Sequence, residues 1–492
     1  MFRPPYVDSY MGGQLDYLGI PQPPPTDSSW TSWTDDIPLC VHTGVGFAQN
    51  QVYRRDGHRT SEHELEDESF HFQLDDGNIC LYGVFDGHFG PQAAKFVVQK
   101  MPAEIILDQQ LTEATTEDKV REVLRQAFLS VEREYFNDAI GAKLAERATY
   151  ISEMTYGESP YDTFREYPQV LAELNKEVES GTTAVVALIF NGKLYVSNVG
   201  CCRALLCRTD KDGVLKVIQL SVDHDLRNQD ELERLNVIGL NPDELRRHGK
   251  IGNQTNTRCL GNYLVKGGYK DFRSLRNARS EPVVPDPEIH PAVKVDESFR
   301  FLVLLSDGLY QALREASESD HVDIQLAKMI VEEFKTQSTL NLVAQAVVDK
   351  VSRMHHDYYM NMSNTLPKVT RRDDMTLLVR NFNIPLKNAT TPSSSKVMNG
   401  YFFPSTTGHP NDCSTPINLT LETIPSPKII GNSSPFPTNT EATTSTESSE
   451  VLTQSNHKLP LDENGRIAPY VAFTDYYKNL PSKSWTDADL FS

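Results

Sequence analysis

One hairpin limits the folds open to this chain more than any other stretch of its sequence. Two runs rich in apolar residues, TTAVVALIF (182–190) and KLYVSNVG (193–200), are separated only by Asn191-Gly192. That dipeptide strongly favours a two-residue turn between antiparallel strands. The β pattern continues beyond the hairpin in ALLCRT (204–209). We therefore predict an antiparallel sheet in the middle of the chain.

Helical and strand patterns occupy separate blocks of the chain. Apolar residues recur at helical spacing, with charges on the other face, in residues 120–135 and again in residues 340–351. MTLLVRNF (375–382) is typical of a last strand. Because the two kinds of block are segregated, we predict an α+β fold of layered antiparallel sheets and helices rather than a doubly wound parallel sheet.

Two apolar strands end in the same pair of residues. LYGVFDGHFG (81–90) changes from an apolar run to Asp86, and FLVLLSDGLY (301–310) does so at Asp307, each followed directly by glycine. A carboxylate supplies charge to a hard cation, and a neighbouring glycine lets the backbone carbonyl approach it closely. Taken singly, either Asp-Gly pair is better explained as a turn.

Composition excludes several classes of protein. The 492 residues carry 67 acidic and 48 basic side chains, and this net charge of −19 argues against nucleic-acid or anionic-membrane binding. Seven cysteines without a CxxC pair indicate reduced thiols inside the cell. The apolar runs are too short to span a bilayer, and the N-terminus lacks a signal-peptide pattern. We expect a soluble cytoplasmic protein with no membrane insertion.

Shifts in composition divide the chain into five segments. Ser, Thr, Pro and Asn dominate a long stretch after the last predicted strand, which is typical of disorder. We predict a disordered segment at 1–36, one folded domain at 37–384, a disordered Ser/Thr/Pro-rich linker at 385–460, a short helix at 461–481 and a disordered end at 482–492.

The short helix carries an aromatic stripe. Tyr470, Phe473, Tyr477 and Leu480 fall on one helical face, with a proline in the first turn and another at the end. Such a stripe is more often part of a protein core. Here a long linker separates it from the domain, and a lone short helix is marginal in water. We therefore favour a helix that docks into a groove of another protein.

Six short motifs decide how the Asp-Gly pairs are interpreted. DGHxG, SGTTA, NxGxxRA, DH, SDGL and DDMT occur in this order within residues 37–384. Together they resemble the metal-dependent PPM-type serine/threonine phosphatase family. The family fold is a four-layer sandwich of two antiparallel sheets flanked by helices, with a binuclear Mg²⁺ or Mn²⁺ site at one end.

The resemblance assigns roles to individual residues of this chain. It implies that Asp86 bridges two metal ions, that Gly87 lends its carbonyl, and that Asp307 and Asp373 complete the shell of the first ion. In an active member, His88 would protonate the leaving alkoxide. Paired cations of this kind lower the pKa of a bridging water, which then attacks phosphorus.

The chain departs from the family pattern around the second metal. The family has a phosphate-binding arginine followed by a Glu-Asp pair, and the expected equivalent here is FAQNQVYRRDGHRT (47–60). In that stretch Asp56 stands for the aspartate, whereas Arg55 replaces the glutamate. Cys201 and Asn262 replace two further aspartates of the family. The resemblance therefore implies at least one Mg²⁺ or Mn²⁺ site and a damaged second one.

A closer resemblance covers both ends of the chain. SWTDDIPLC (32–40), the Ser/Thr-rich tail and GRIAPYVAFTDYYK (465–478) are similar to a kinase-binding branch of the family that lacks useful phosphatase activity. This implies that the C-terminal helix binds and activates a TGF-β-activated MAP kinase kinase kinase in TGF-β, innate immune and stress signalling. It also implies a stress-activated MAP kinase that docks in the tail. Four Ser/Thr-Pro sites are candidates for its phosphorylation: Thr391, Thr415, Ser426 and Ser434.

Two functions of different classes follow from these patterns. The tail helix and the missing phosphate-binding arginine favour a non-catalytic adaptor that activates a kinase. The intact metal aspartates and His88 favour a working metal-dependent serine/threonine phosphatase. A third alternative is a phosphatase-fold protein without a kinase partner, because the tail motif is short.

Overall fold

The computed structural model describes residues 37–387 except for 55, 57, 75–76, 107–108, 157–166, 318, 320 and 362–370. The predicted docking helix at 461–481, the terminal segments and all four predicted phosphorylation sites lie outside the described residues. So does the linker from residue 388 onward.

Fifteen strands and ten α-helices are found in the described residues. The strands are β1 Thr43–Ala48, β2 Gln51–Tyr53, β3 Arg59–Thr60, β4 Glu68–Leu74, β5 Ile79–His88, β6 Gly181–Phe190, β7 Lys193–Val199, β8 Arg203–Thr209, β9 Leu215–Gln219, β10 Leu260–Gly261, β11 Glu288–Ile289, β12 Val293–Lys294, β13 Phe299–Leu305, β14 Arg371–Arg372 and β15 Met375–Asn381. The helices are α1 Gln92–Ile106, α2 Gln109–Thr112, α3 Glu117–Glu134, α4 Gly141–Tyr156, α5 Tyr167–Glu179, α6 Gln229–Val237, α7 Pro242–His248, α8 Asp307–Ser317, α9 Val322–Thr336 and α10 Leu340–Asn361.

The strands form two large sheets and one small one. The seven-stranded sheet runs β11-β7-β6-β5-β4, with β10 paired to β6 and β12 to β7. The five-stranded sheet runs β1-β15-β13-β8-β9, and β14-β2-β3 form the small sheet. Every pairing between these described strands is antiparallel. The predicted antiparallel arrangement is confirmed.

The hairpin predicted at the centre of the chain joins β6 to β7. Phe190 pairs with Lys193, and both turn residues have positive φ, 49° at Asn191 and 70° at Gly192. Two left-handed residues in a row define the turn that matches the twist of antiparallel strands. Asn and Gly are among the residues that tolerate this conformation best.

Three apolar layers hold the sheets and helices together. The layer between the two large sheets contains residues from both, among them Tyr82, Val84, Val185, Leu206, Leu304 and Leu378. Helices α1 and α3 cover the outer face of the seven-stranded sheet, while α8, α9 and α10 cover that of the five-stranded sheet. The result is the predicted α+β sandwich of four layers. None of the helices in the described part of the chain is long and apolar enough to cross a membrane.

Helix α10 lies directly against the edge strand β1. The side chains of Asn341 and Gln345 accept hydrogen bonds from the backbone N–H groups of Val45 (3.0 Å) and Phe47 (3.1 Å). This close approach requires glycine, because a Cβ on Gly44 would overlap the backbone of α10 at its first residues.

We expect Gly44→Ala to destabilise the domain. Overlap with backbone forces α10 away from β1, and overpacking of this kind costs about 1–3 kcal/mol. The measurement is the free energy of unfolding in denaturant. The control is Gly141→Ala at the start of α4, where a Cβ meets only the Phe136 carbonyl at 3.3 Å. Equal stability of the two variants would contradict this account of the α10–β1 contact.

A buried histidine follows β9. His224 is 1% exposed, and its Nδ1 accepts a hydrogen bond from the N–H of Gly200 at 3.2 Å. Burial, together with the charge of Arg258, lowers the pKa of His224 to about 3. The imidazole is therefore neutral in the fold, whereas an unfolded chain would protonate it near pH 6.5.

This histidine predicts a specific pH dependence. Between pH 6.5 and about 3 the unfolded state takes up a proton that the folded state does not, so its contribution to stability is lost as the pH falls. We expect the difference in unfolding free energy between the wild type and His224→Gln to shrink by up to about 1.4 kcal/mol per pH unit below 6.5. A difference that stays constant between pH 7 and pH 4.5 would show that the imidazole titrates normally in the fold.

Candidate metal centre

The pairing of β4 with β5 brings two aspartates together. Glu68 lies opposite Phe85 in this ladder, and continuing the register by one residue places Asp67 opposite Asp86. The next step places Glu66 opposite Gly87, where a Cβ would overlap the Glu66 carbonyl. Gly87 is thus required by close packing at the end of β5.

Helix α8 supplies the next carboxylate. Asp307 is its first residue, and the backbone N–H of Asp307 donates to Asp86 Oδ2 at 3.2 Å. Gln311, one turn later, donates to the Asp307 carboxylate at 3.1 Å. The next residue, Gly308, packs so closely on the Asp374 carbonyl that a Cβ there would overlap it.

The turn between β14 and β15 contributes Asp373 and Asp374. Asp374 is 3% exposed and accepts hydrogen bonds from both nitrogens of Asn50 and from the N–H of Glu66 (2.8 Å). Asp373 lies at the surface. His63 approaches the pair from the loop after β3, and single ligand atoms of these three residues lie within 4.8 Å of one another.

Burial and the charges of neighbouring carboxylates raise the pKa values of the aspartates in this cluster. Burial, with the Asp374 and Asp373 charges, raises the pKa of Asp67 to about 8, although nearby hydroxyl groups act the other way. Burial and the neighbouring Asp307 raise the pKa of Asp86 well above its usual range. Burial and the Asp373 charge raise the pKa of Asp307 to about 6. The site therefore favours added positive charge.

These residues fit a divalent metal ion. Both carboxylate oxygens of Asp67 are buried and have no well-aligned hydrogen-bond partner among the described residues. A buried carboxylate without a partner is costly unless a cation or a proton neutralises it. The donors at the cluster are mainly carboxylate oxygens, which Mg²⁺ and Mn²⁺ prefer.

His88 ends β5 beside this cluster. Burial, followed by the charge of Lys266, lowers the pKa of His88 to about 4. The ring packs so tightly over Gly181 that a Cβ there would press on its Nε2. A histidine with this pKa is mainly neutral at pH 7 and keeps a single ring N–H, which is a far weaker acid than the imidazolium ion.

The structure corrects the predicted position of the acidic pair. Asp56 lies on an exposed turn, where it pairs with Arg54 at 2.8 Å and accepts from the His58 N–H at 3.0 Å. Arg55 lies outside the described residues. The pair that reaches the cluster is Glu66-Asp67, because it precedes β4, the strand that pairs with β5.

Sequence reasoning overlooked a signal for this pair. Two consecutive acidic residues stand directly before the alternating strand ESFHFQL (68–74), much as Asp86 stands at the end of an apolar run. The two other substituted positions have only neutral polar partners among their reported hydrogen bonds. Cys201 donates to Asn256 at 3.0 Å, and Asn262 is buried with its amide on Asn253 and Gln254.

Comparison with known proteins shows what this domain is similar to. Residues 151–356 match the family model "Protein phosphatase 2C". That segment contains Asp307, whereas Asp86 and Asp373, which the structure brings close to it, lie outside the segment.

Three relatives span larger parts of the chain. The chain is 27% identical over 350 residues to the Caenorhabditis elegans protein "TGF-beta-activated kinase 1 and MAP3K7-binding protein 1", covering 70% of this chain and 82% of that protein. It is 27% identical over 282 residues to "Probable protein phosphatase 2C 22" of Arabidopsis thaliana, covering 55% of this chain and 59% of that protein. It is 25% identical over 310 residues to "Probable protein phosphatase 2C 2" of Paramecium tetraurelia, covering 63% of this chain and 88% of that protein. The antiparallel sandwich, its acidic cluster and these matches agree: residues 151–356 match the protein phosphatase 2C family model, and the domain around them is similar to members of that family.

Proposed function

We propose that the protein is a cytoplasmic adaptor that binds and activates a MAP kinase kinase kinase through residues 461–481. The observation that carries this proposal is the similarity to a worm protein whose name describes MAP3K7 binding, over 82% of that protein's length. The aromatic stripe around Phe473 supplies a chemical basis for docking. Aromatic side chains bring large contact area at a low cost in conformational entropy.

The phosphatase-type domain of this adaptor holds at least one Mg²⁺ or Mn²⁺. Its ligands are the carboxylates of Asp86, Asp307 and Asp373 and the carbonyl of Gly87, with Asp67 beside them. Members of the protein phosphatase 2C family depend on these ions. When bound, such ions supply positive charge that offsets the crowded carboxylates and polarises water and phosphate oxygens.

The environment of His88 supports an adaptor rather than an enzyme. A general acid works best with a pKa near the operating pH. Burial, followed by the charge of Lys266, holds the pKa of His88 near 4. A domain of this kind keeps the metal as a structural element while it contributes little to leaving-group protonation.

One observation favours the alternative, a working metal-dependent serine/threonine phosphatase. Glu66 and Asp67 are both acidic, whereas the pair inferred from the sequence for the second metal, Arg55 and Asp56, contained an arginine. Near Asp373, Arg371 is held by the Glu62 carboxylate at 2.9 and 3.1 Å. An exposed ion pair is worth at most about 1 kcal/mol, so a phosphate group competes with Glu62 for this arginine in the alternative.

In this proposal, phosphorylation of the tail regulates recruitment of the kinase. We place phosphorylation by a stress-activated MAP kinase at Thr391, Thr415, Ser426 and Ser434, each followed by proline. Phosphate groups there add negative charge between the domain and the docking segment. They therefore tune recruitment of the kinase rather than stability of the fold.

We expect added Mn²⁺ to raise the melting temperature of the full-length protein, because ligands that bind only the folded state stabilise it. Asp307→Asn should blunt this rise, since it removes a carboxylate from the cluster. Differential scanning fluorimetry across a Mn²⁺ series measures both. Asp212→Asn, in the exposed turn between β8 and β9, is the matched control and should respond like the wild type.

The same preparation separates the two candidate functions. Turnover of a phosphothreonine peptide with Mn²⁺ should be feeble in the adaptor. Strong Mn²⁺-dependent turnover that Asp307→Asn abolishes would instead establish the phosphatase. A melting temperature that does not change with added Mn²⁺ would contradict the metal assignment. It would not bear on kinase binding.

We expect Phe473→Ala to abolish kinase binding and activation. Truncating a central anchor costs at least about 2 kcal/mol, or roughly thirtyfold in affinity. Co-precipitation and kinase autophosphorylation are the two readouts. Val471→Ala is the matched control, because residue 471 lies on the opposite face of a helix through this segment and should retain binding.

A domain-deletion variant tests where recognition resides. A chain lacking residues 37–384 should still bind the kinase, and its affinity should stay close to that of the full protein. Normal binding by Phe473→Ala, together with loss of binding on deletion of the domain, would move the docking site from the tail to the domain.

A further inference from the structure

The loop between β3 and β4 is fixed at the metal centre by two amide side chains. Gln49 and Asn50 both donate to the His63 carbonyl, at 2.7 and 3.1 Å. The side-chain Oδ1 of Asn50 accepts from the backbone N–H groups of Glu62 (2.7 Å) and His63 (3.3 Å). Asn50 also donates to Asp374 at 2.8 Å. A single buried residue therefore ties His63 to the acidic turn after β14.

The imidazole of His63 faces the carboxylates. Its Nδ1 lies 3.6 Å from Glu66 Oε1 and 3.9 Å from Asp374 Oδ2. Both distances are too long for hydrogen bonds. A metal ion bound between these atoms would contact the nitrogen and a carboxylate oxygen together. The side chain is 34% exposed, so the ring can turn on a backbone that is already held in place.

His63 Nδ1 lies within hydrogen-bond distance of two groups that require different tautomers of the ring. Nδ1 lies 3.0 Å from the Asn50 amide nitrogen, which is a donor, and 2.7 Å from the Glu64 carbonyl, which is an acceptor. One ring nitrogen cannot donate and accept in the same tautomer. The two contacts therefore compete, and a cation bound at Nδ1 would use the lone pair that otherwise accepts from the Asn50 amide.

A second, independent feature points to a cation at this place. Asp67 is 3% exposed, and neither of its carboxylate oxygens has a well-aligned hydrogen-bond partner among the described residues. Asp373 and Asp374 are the carboxylates whose charges it feels. The cluster therefore contains a buried carboxylate without a well-aligned hydrogen-bond partner, and also a ring nitrogen that can bind a metal ion.

We propose that His63 is a nitrogen ligand of the metal centre, acting with Asp373 and Asp374, and that it makes the centre prefer a first-row transition-metal ion over Mg²⁺. This inference rests on the proposed metal site and adds to it a ligand and a selectivity. Imidazole binds transition ions well, whereas Mg²⁺ holds oxygen ligands and its own water molecules. With oxygen ligands alone this preference would be weaker.

The experiment compares Co²⁺ with Mg²⁺, which have the same charge and similar size. Isothermal titration of each ion is carried out on full-length wild type, on His63→Gln and on the control His58→Gln. His58 is an exposed histidine just before β3. We expect His63→Gln to weaken Co²⁺ binding by at least about tenfold and to leave Mg²⁺ binding unchanged. His58→Gln should match the wild type for both ions.

A spectroscopic readout reports on the bond itself. Electron spin echo envelope modulation of bound Mn²⁺ should show a nitrogen signal in the wild type, and this signal should be absent in His63→Gln. His63→Asp provides a second variant that keeps a ligand at this position. It should lose the nitrogen signal and bind Mg²⁺ at least as well as the wild type, because an anionic oxygen replaces the imidazole.

The outcomes distinguish a failure of the His63 assignment from a failure of the proposed metal site itself. Equal losses for Co²⁺ and Mg²⁺ in His63→Gln, or a nitrogen signal that survives the substitution, would overturn the role of His63 and leave the carboxylate metal site standing. Failure of the wild type to bind either ion would overturn both.

Discussion

Repulsion among carboxylates gathered at one end of the sandwich is the interaction on which the rest of this structure depends. Burial, together with the charges of Asp374 and Asp373, raises the pKa of Asp67 from 3.8 to about 8, so keeping this carboxylate ionised in the fold is costly unless a cation neutralises it. A marginally stable domain bears such a cost only if its other contacts are strong. The apolar layer between the two sheets fixes the strand ends rigidly enough to hold these charges together, and a bound cation turns their repulsion into attraction.

Local patterns in the sequence predicted most of the fold and half of the site. The Asn191-Gly192 turn, the amphipathic α3 and α10, and the aspartates at strand ends all follow from spacing within short windows. The family's Glu-Asp pair was aligned with residues 55–56, and Glu66-Asp67 was overlooked, because its proximity to Asp86 depends on the register between β4 and β5. His63 and Asp374 are separated by most of the domain in sequence, and only the fold brings them together. Spacing within a window carries no information on such long-range pairs.

A metal centre would have a structural use if the protein is the adaptor proposed above. The cation would neutralise the cluster and so couple β5, α8 and the β14–β15 turn, which come from distant parts of the chain. Stability of the domain would then follow metal availability, whereas the proposed kinase-docking segment lies elsewhere in the sequence, at residues 461–481. Under this proposal the two parts can change independently, and the acidic residues can be retained for stability alone.

The contact of α10 with β1 has a consequence for how copies of this protein behave in concentrated solution. An edge strand with free N–H groups is a template on which another polypeptide can add a strand, and many folds block it with charge or bulges. Here Asn341 and Gln345 bind the outward N–H groups of Val45 and Phe47, so helix side chains take the place of an incoming strand. Two amides thus protect the sheet from edge-to-edge aggregation, although Phe47 itself remains 55% exposed beside them.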